Sequence, residues 1–405
     1  MTERLYYHDS FLYEFDAEVL DSNAADARTG LILDRTAFYP TTGGQVFDTG
    51  WIIAGDRKAR VTEVAEQEDG TILHLLEAPA AIQTGSRIRG LIDIERRRDH
   101  MQQHSGQHVL SAAFVRLLNL HTVSFHMGVE SCSIDLDTTN LSPEQVQAAE
   151  ALANDVVTQD RPVGIRFVSQ EEAQGLGLRK LPPAERDKLR LIDIQDFDLS
   201  ACGGTHVTRT GQIGCILLRK IEKVRQGWRV EFVCGKRAVD TARRDYTALA
   251  ESASLSSSHL WEVPQQVRKF QEEVRASRRT AEQLLEELAG LYAGQLLRET
   301  PEEGGRRIIV RVFPDRDLAF TRLLAQKLSR LSASVVALLG TTSSQPALVF
   351  SQSAGQPFDM GSLMKEVLGR VGGRGGGSKD MAQGGPTKGE GLDAVLHEAG
   401  AQLRG

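Results

Sequence analysis

The sequence predicts an α+β protein whose 405 residues form several consecutive domains. Three observations predict this fold class. Short apolar runs alternate with turn clusters in residues 1–88. Apolar residues recur at helical spacing in the middle of the chain, and strands alternate with helices near its end. The length by itself favours two to four domains over one.

These patterns divide the chain into four predicted segments. Each segment has its own combination of periodicity, turn residues and glycine content. The predicted segments are a β-rich, barrel-like domain (1–88), a mixed α/β zinc-containing domain (89–242), a helical linker or coiled coil (243–303) and a small, glycine-rich α/β domain (304–405).

The composition is that of a globular protein with reduced thiols. Hydrophobic residues make up 40%, charged residues 25%, and the formal net charge is −6. This charge argues against non-specific nucleic-acid binding by the whole surface, and the basic strip at 219–237 is most simply a solvated strand face. The four cysteines form no CxxC pair, no apolar run approaches the ~20 residues that span a bilayer, and the N-terminus lacks a signal-peptide pattern. We therefore expect a cytoplasmic protein with no membrane partner.

Local signals predict two helices in the second segment. Residues 99–119 place apolar side chains on one helical face. A second helix is expected to start at Ser142-Pro143, because serine is a good N-cap and proline suits the first helical position. Short strands and loops are expected to follow to about Gly235.

Residues 263–291 carry apolar side chains at alternating spacings of four and three. This is a heptad seam, weakened at Ser277 and Ala281. It suits a helical hairpin within the chain or a homodimer contact, and an ordinary amphipathic helix explains it equally well.

The last segment alternates strands and helices and then becomes dense in glycine. Strands are expected at 308–310 and 335–339, with a helix at 317–331 between them. Residues 369–385 contain so much glycine that the entropy cost predicts no regular element there. Because predicted helices flank this stretch, it should lie inside the domain, where its backbone can approach a phosphate or sugar.

Two short motifs together indicate a metal site. His104 and His108 are four residues apart, so a helix would place both imidazoles on one face. Cys202 and His206 add a thiolate and a third imidazole from a glycine-bearing turn. Three nitrogens and one sulfur suit tetrahedral Zn²⁺. Four protein ligands are typical of structural zinc, so spacing alone leaves structural and catalytic zinc equally open.

Seven motifs in one order resemble the freestanding alanyl-tRNA editing proteins of the AlaX type. That family is similar to the editing and C-terminal parts of alanyl-tRNA synthetase. The motifs are the segment 38–45, Asp48-Thr49-Gly50, the HxxxH at 104–108, the CxxxH at 202–206, the segments 211–214 and 227–231, and the glycine-rich stretch 372–385.

The resemblance implies a catalytic zinc at the HxxxH and CxxxH motifs and a tRNA(Ala) substrate mischarged chiefly with serine, glycine being the alternative. No Ser-His-Asp arrangement is recognisable, so we expect a zinc-bound or zinc-oriented water and no protein base. Residues beside the glycine-rich GGQ segment are candidate contacts to the aminoacyl group, or they only shape a tight turn. They are Thr41, Thr42, Gly43, Gly44 and Gln45.

The resemblance also implies that the C-terminal domain contacts tRNA, for which Arg370, Arg374 and Lys379 are the nominated residues. One position departs from the family: a glutamine that often follows HxxxH is replaced by Phe125 or His126. No synthetase ATP-binding region is recognisable, so we expect editing without aminoacylation. The alternatives are a non-catalytic tRNA-binding protein with structural zinc and a zinc hydrolase of small esters or amides, against which the glycine-rich basic tail argues.

Overall fold

A computed structural model describes residues 2–25, 28–179, 188–343 and 345–404. The chain divides into two compact units, residues 1–251 and 252–405. The fold is mixed α/β and contains a closed β-barrel, as the sequence predicts. The finer division at residues 88, 242 and 303 stays a prediction. Among the helices in the described ranges, none is long and apolar enough to cross a bilayer.

The first unit consists mainly of antiparallel strands. In chain order its elements are β1 (Glu3–Arg4), β2 (Glu14–Ala25), β3 (Arg28–Leu33), β4 (Arg35–Thr36), β5 (Gly50–Ala54), β6 (Arg57–Glu66), β7 (Ile72–Leu76), β8 (Arg87–Ile92), α1 (Ile94–Leu118), β9 (Thr122–Met127), β10 (Cys132–Leu136), α2 (Pro143–Thr158), β11 (Val163–Val168), α3 (Gln170–Gln174), β12 (Leu189–Ile194), β13 (Asp198–Ala201), β14 (Ile216–Val224) and β15 (Gly227–Cys234). Helix α4 (Gly235–Leu255) then runs across the division between the units.

The barrel closes in the order β2-β3-β7-β6-β5-β8. Alternate residues of β7 point into its core, where Ile72, His74 and Leu76 are buried. The imidazole of His74 is satisfied there by Thr36 Oγ1 at 2.8 Å and by the carbonyl oxygen of Leu31 at 3.1 Å. Burial lowers the pKa of His74 to about 4, so the barrel core holds a neutral imidazole.

Helix α1 packs beside a four-stranded sheet of order β14-β15-β10-β9 and against α2. Its centre is buried almost without interruption, which makes it the central helix of this unit. The predicted helix at 99–119 is confirmed, although it begins earlier, at Ile94. The predicted start of α2 is also confirmed: Ser142 Oγ accepts from Gln145 N, and Gln145 Oε1 accepts from Ser142 N.

A buried ion pair ties helix α1 to the loop that follows β4. Arg97 and Asp48 are both fully buried, and Arg97 Nη2 lies 2.5 Å from Asp48 Oδ2. Arg97 also donates to the carbonyl oxygen of Ala37 at 2.5 Å, while Asp48 accepts from Tyr39 N at 2.7 Å. Breaking one partner of such a pair costs about 3–5 kcal/mol, so the loop is held firmly against α1.

The second unit is a small α/β domain preceded by a long helix. Its elements are α5 (Val263–Glu299), β16 (Arg307–Phe313), α6 (Leu318–Leu331), β17 (Val335–Thr341), β18 (Ala347–Gln352), α7 (Met360–Val371), β19 (Gly373–Gly377), β20 (Met381–Pro386) and α8 (Leu392–Gln402). The strands form a sheet of order β16-β17-β18-β20-β19, in which β16 and β17 are parallel and the other neighbours antiparallel.

Helix α5 confirms that residues 263–291 are helical. The ends of the heptad seam differ: Val263 is buried, whereas Leu291 is 72% exposed. The other large apolar side chains of the seam that are exposed are Val267, Phe270, Val274 and Leu284. The homodimer contact stays a prediction.

The prediction that residues 369–385 form no regular element is wrong. Strands β19 and β20 pair with each other, and β20 also pairs with β18. A Cβ at Gly375 or Gly384 would lie 2.6 or 2.5 Å from Leu368 Cδ1. The missing side chains therefore let α7 pack directly on the strands, and this packing together with strand pairing offsets the entropy cost of the glycines.

Candidate metal centre

Two elements bring four donor side chains together. Helix α1 supplies His104 and His108, and the turn after β13 supplies Cys202 and His206. Their donor atoms all lie within 4.8 Å of one another. Cys202 Sγ is 3.4 Å from His104 Nε2 and 3.3 Å from His206 Nε2. A tetrahedral zinc would separate such atoms by ~3.6 Å, so this donor set fits zinc in both chemistry and spacing.

The ring nitrogens on the far side of two imidazoles are held by hydrogen bonds. His104 Nδ1 lies 2.7 Å from Gln45 Oε1, and His206 Nδ1 lies 3.1 Å from Ser105 Oγ. Because an amide oxygen only accepts, His104 carries its proton on Nδ1 and presents the Nε2 lone pair to the centre. Second partners of this kind fix ligand orientation and typically contribute 10- to 100-fold in metal affinity.

The third imidazole is held by a polar group on β13. His108 Nδ1 lies 3.0 Å from Ser200 Oγ and 3.3 Å from Asp198 Oδ2, and Arg179 Nε donates to Asp198 Oδ1 at 2.7 Å. Burial opposes ionisation of Asp198, but hydrogen bonds from His108 and Arg179 outweigh it and hold the pKa of that carboxyl well below its usual range. Burial likewise disfavours a charged His108, yet its hydrogen bonds raise the pKa of that imidazole.

The surrounding imidazoles favour the thiolate that a metal requires. Burial disfavours ionisation of Cys202, but its interactions with His104 and His206 outweigh it and hold the pKa of this thiol well below its usual range. Burial lowers the pKa of His206 to about 3, so that imidazole is neutral near pH 7. Thiolate and neutral imidazole are the ligand forms of these side chains.

The second glycine of the Cys202–His206 turn makes room for the centre. A Cβ at Gly204 would lie 2.1 Å from His104 Cε1 and 2.9 Å from Gln45 Oε1. Arg190 Nη1 braces the turn by donating to the carbonyl oxygens of Cys202 at 2.7 Å and Gly204 at 3.0 Å. The spacing of the motif therefore depends on a glycine at this position.

The residues near the GGQ segment that were predicted to contact the substrate differ in their surroundings. Thr42 and Gly43 line a pocket beside the donor residues. Thr41 is exposed, and its Oγ1 accepts from Phe47 N at 3.2 Å. Gln45 is fully buried and contacts a donor residue of the metal centre, in addition to Thr205. Substrate contact by these residues stays a prediction.

The pocket has a volume of about 220 Å³, and His104, His108 and Cys202 lie in its wall. Phe125, one of the two residues expected in place of the family glutamine, stacks on the His104 ring with centroids 5.4 Å apart. Gly44 lies against it, since a Cβ there would meet the Phe125 carbonyl oxygen at 2.6 Å. Phe125 thus forms an apolar cover over one donor residue.

The nominated tRNA-binding residues lie in the second unit. Arg370 is paired with Glu366 at 2.5 Å and with Glu398 at 3.4 Å, which reduces its availability for phosphate. Arg374 on β19 and Lys379 between β19 and β20 are exposed. Their contact with tRNA stays a prediction.

Sequence reasoning missed Asp198, Ser200 and Arg179. A signal for the first two was available, because Asp198, Ser200 and Cys202 alternate along one strand and its continuation, and alternate residues share a face. No local pattern indicated Arg179, which reaches Asp198 from a loop after α3.

Three protein families match separate parts of the chain. The family described as tRNA synthetases class II (A) matches residues 3–96. The threonyl and alanyl tRNA synthetase second additional domain matches residues 189–230, which include the CxxxH motif, and the DHHA1 domain matches residues 307–405.

Comparisons with whole proteins find alanyl-tRNA editing proteins and alanine–tRNA ligases that match nearly the whole chain. The alanyl-tRNA editing protein AlaX-L of Pyrococcus horikoshii is 31% identical over 390 residues, which are 95% of this chain and 94% of that protein. The alanine–tRNA ligases of Archaeoglobus fulgidus and Natronomonas pharaonis are 34% and 35% identical and cover 95% and 100% of this chain. The chain spans only 42% and 44% of the length of those two ligases.

Proposed function

Because the chain belongs to the alanyl-tRNA editing proteins of the AlaX type, we propose that it hydrolyses the ester bond of tRNA(Ala) mischarged with serine. The proposed site is the metal centre of the first unit. One observation carries this proposal: three of the four donor residues line an open pocket. A purely structural zinc site is closed and needs no such opening.

Zinc held by His104, His108, Cys202 and His206 would supply a Lewis acid that polarises the ester carbonyl or lowers the pKa of a bound water. The protein's own part is to prepare the donor atoms before the substrate arrives. Gln45 holds one imidazole in the tautomer that a metal needs. Similar hydrogen bonds hold the other two, so little reorganisation is required at the moment of reaction.

The size and polarity of the pocket support the proposed substrate class. A cavity of about 220 Å³ admits a small aminoacyl group. Serine exceeds alanine by one hydroxyl, which an alanine-shaped synthetase pocket rejects by only ~100-fold. A second site that requires the hydroxyl can correct this error, and hydroxyl and amide side chains line the pocket here.

The proposal extends to the second unit and to assembly. The DHHA1 region would contact the tRNA through exposed basic residues such as Arg374 and Lys379. The heptad seam of α5 would join two copies of the chain. Aminoacylation is not part of the activity proposed for these 405 residues.

The competing function is a non-catalytic tRNA-binding protein whose zinc only stabilises the fold. The observation in its favour is the full set of four protein donors, which is usual for structural zinc. Activity on charged tRNA separates the two proposals.

The decisive experiment combines metal analysis with deacylation of seryl-, glycyl- and alanyl-tRNA(Ala). We expect about one zinc per chain, as one four-donor site requires, and hydrolysis of the seryl ester. Cys202→Ala should lower zinc content and deacylation together. Cys215→Ala is the matched control, because Cys215 lies outside the donor group and should leave both unchanged.

Full zinc content and full activity in Cys202→Ala would show that the donor set is wrong. A folded, zinc-bearing protein that hydrolyses none of the three esters would support the structural alternative.

A further inference from the structure

A chain of three polar side chains reaches the pocket without serving the metal centre. Gln107 Nε2 donates to Ser111 Oγ at 2.8 Å, and Ser111 Oγ lies 2.7 Å from Thr122 Oγ1. Gln107 is 7% exposed and Ser111 is fully buried, so this row of hydrogen-bonded side chains lies largely inside the protein. Both ends of it, Gln107 and Thr122, line the pocket that also contains His104 and His108.

The amide nitrogen of Gln107 and the hydroxyls of Ser111 and Thr122 satisfy one another, so their burial by itself requires no ligand. The carbonyl oxygen of the same amide has no partner within the described residues, and Gln107 lines the pocket. An amide oxygen in that position is an acceptor for a ligand that donates a hydrogen bond.

We propose that Gln107 and Thr122 together recognise the hydroxyl of the seryl group, an inference that rests on the proposed function. Gln107 Nε2 is committed to Ser111, and within the described residues no hydrogen bond involves Gln107 Oε1. This oxygen accepts from the seryl hydroxyl. When Ser111 donates to Thr122 Oγ1, the hydrogen of Thr122 is free to donate to the same seryl oxygen. One acceptor and one donor thus converge on one hydroxyl.

The other hydroxyls of the pocket wall are mostly committed elsewhere. Ser124 donates to Asp135 Oδ2 at 2.7 Å, and Ser200 donates to Asp198 Oδ2 at 2.7 Å. Tyr39 Oη donates to the carbonyl oxygen of Thr42 at 3.2 Å, whereas Tyr7 Oη only accepts, from Arg4 Nη1 at 3.0 Å. The remaining rivals in the pocket wall are therefore Tyr7 and the sequence-predicted Thr42. Thr42 lacks the buried support that Ser111 gives Thr122, so it is less constrained to one geometry.

This arrangement determines the order of substrates. Alanine and glycine both lack the hydroxyl, so either would leave Gln107 Oε1 and the hydroxyl hydrogen of Thr122 without a partner on the substrate. Sites that hydrogen-bond a substrate hydroxyl reject analogues without it by up to ~10⁴-fold. The seryl ester should therefore be the preferred substrate over both the glycyl and the alanyl ester.

The first test measures kcat/KM for the three charged tRNAs. Gln107→Met keeps the length of the side chain and removes both polar atoms, while Thr122→Val keeps its shape and removes the hydroxyl. Each variant should lower kcat/KM for the seryl ester by about 10- to 100-fold and leave the glycyl rate and the zinc content unchanged. Ser124→Ala is the matched control, whose ratio of seryl to glycyl rates should equal that of the parent.

A second test does not depend on hydrolysis. Binding of 3′-seryl-amido-adenosine and 3′-alanyl-amido-adenosine, in which an amide replaces the ester, is measured by calorimetry on the full zinc-loaded chain. The parent should prefer the seryl compound, and Gln107→Met should lose that preference. A preference for the seryl compound supports recognition by Gln107 and Thr122 even if the protein hydrolyses none of the esters. The lack of hydrolysis would refute the proposed function and not this recognition.

Two results overturn the proposal. One is a parent that binds both compounds equally. The other is a Thr42→Val variant that loses the seryl preference while Gln107→Met and Thr122→Val both keep it.

Discussion

The Gly203-Gly204 turn and the glycine-rich hairpin of β19 and β20 use glycine for the same steric purpose but for different neighbours. At Gly204 a Cβ would meet the ring of His104, a donor residue of the metal centre. At Gly384 a Cβ would meet Leu368 Cδ1 at 2.5 Å, in the apolar core under α7. A dense glycine pattern therefore does not show by itself whether the close neighbour is a functional group or a core side chain.

The surroundings of these two regions differ as much as their neighbours. The first unit buries titratable groups, among them His74, His100 and Asp198. The core of the second unit beneath the hairpin is apolar. The histidines of that unit, His259 and His397, are exposed. Metal and pH should therefore affect the first unit, whereas packing defects should affect the second.

The largest expected effect is that of Gly204→Ala. The added methyl group must displace His104 or Gln45, so we expect about a 100-fold loss of zinc affinity and a parallel loss of deacylation. Gly203→Ala is the matched control, because the nearest atom to its Cβ is Tyr7 Oη at 3.4 Å, an ordinary contact. Competition with a chelator measures the zinc affinity of both variants. Equal affinities in the two variants would mean that Gly204 does not make room for the centre.

Mild acid should destabilise the first unit more than the second. Burial lowers the pKa of His74 to about 4, while an unfolded histidine binds its proton near pH ~6.5. The stability contribution is intact above about pH 6.5 and is lost as the pH falls towards 4. By linkage, the loss of unfolding free energy that His74 causes is about 2 kcal/mol at pH 5.

Hydrogen exchange of barrel and C-terminal peptides between pH 7 and pH 5 measures this difference. His74→Gln removes the titrating group, so its barrel should lose less stability over the same range than that of the parent. Parallel losses in parent and variant would rule out His74 as the cause.

The smallest expected effect is that of Gly384→Ala in the hairpin. The new methyl group overpacks the contact with Leu368 and Met364, which typically costs about 1–3 kcal/mol. Zinc content should stay at the parent level. Gly376→Ala is the control, because the nearest atom to its Cβ is Lys365 Cε at 4.0 Å. The free energy of unfolding of the second unit, followed by exchange at β18, should separate the two variants, and identical values would contradict close packing at Gly384.

The sequence by itself determined the features that depend on near neighbours in the chain. The spacing of four between His104 and His108 puts both on one helical face whatever surrounds the helix. The capping residues Ser142 and Pro143 act within one turn, and so they predicted the start of α2 correctly. The order of short motifs was sufficient to indicate the AlaX resemblance.

Only the tertiary structure decided which side chains support those motifs. Gln45 contacts His104, which is 59 residues away in the sequence, and Asp198 contacts His108, which is 90 residues away. These contacts form because the loop between β4 and β5 and strand β13 pack against α1. The hairpin of β19 and β20 was missed for a related reason. The backbone entropy cost of its glycines can be read from the sequence, whereas the packing of Leu368 against Gly384, which helps to offset that cost, cannot. A sequence pattern records spacing along the chain, whereas hydrogen bonding and close packing act between atoms that only the fold brings together.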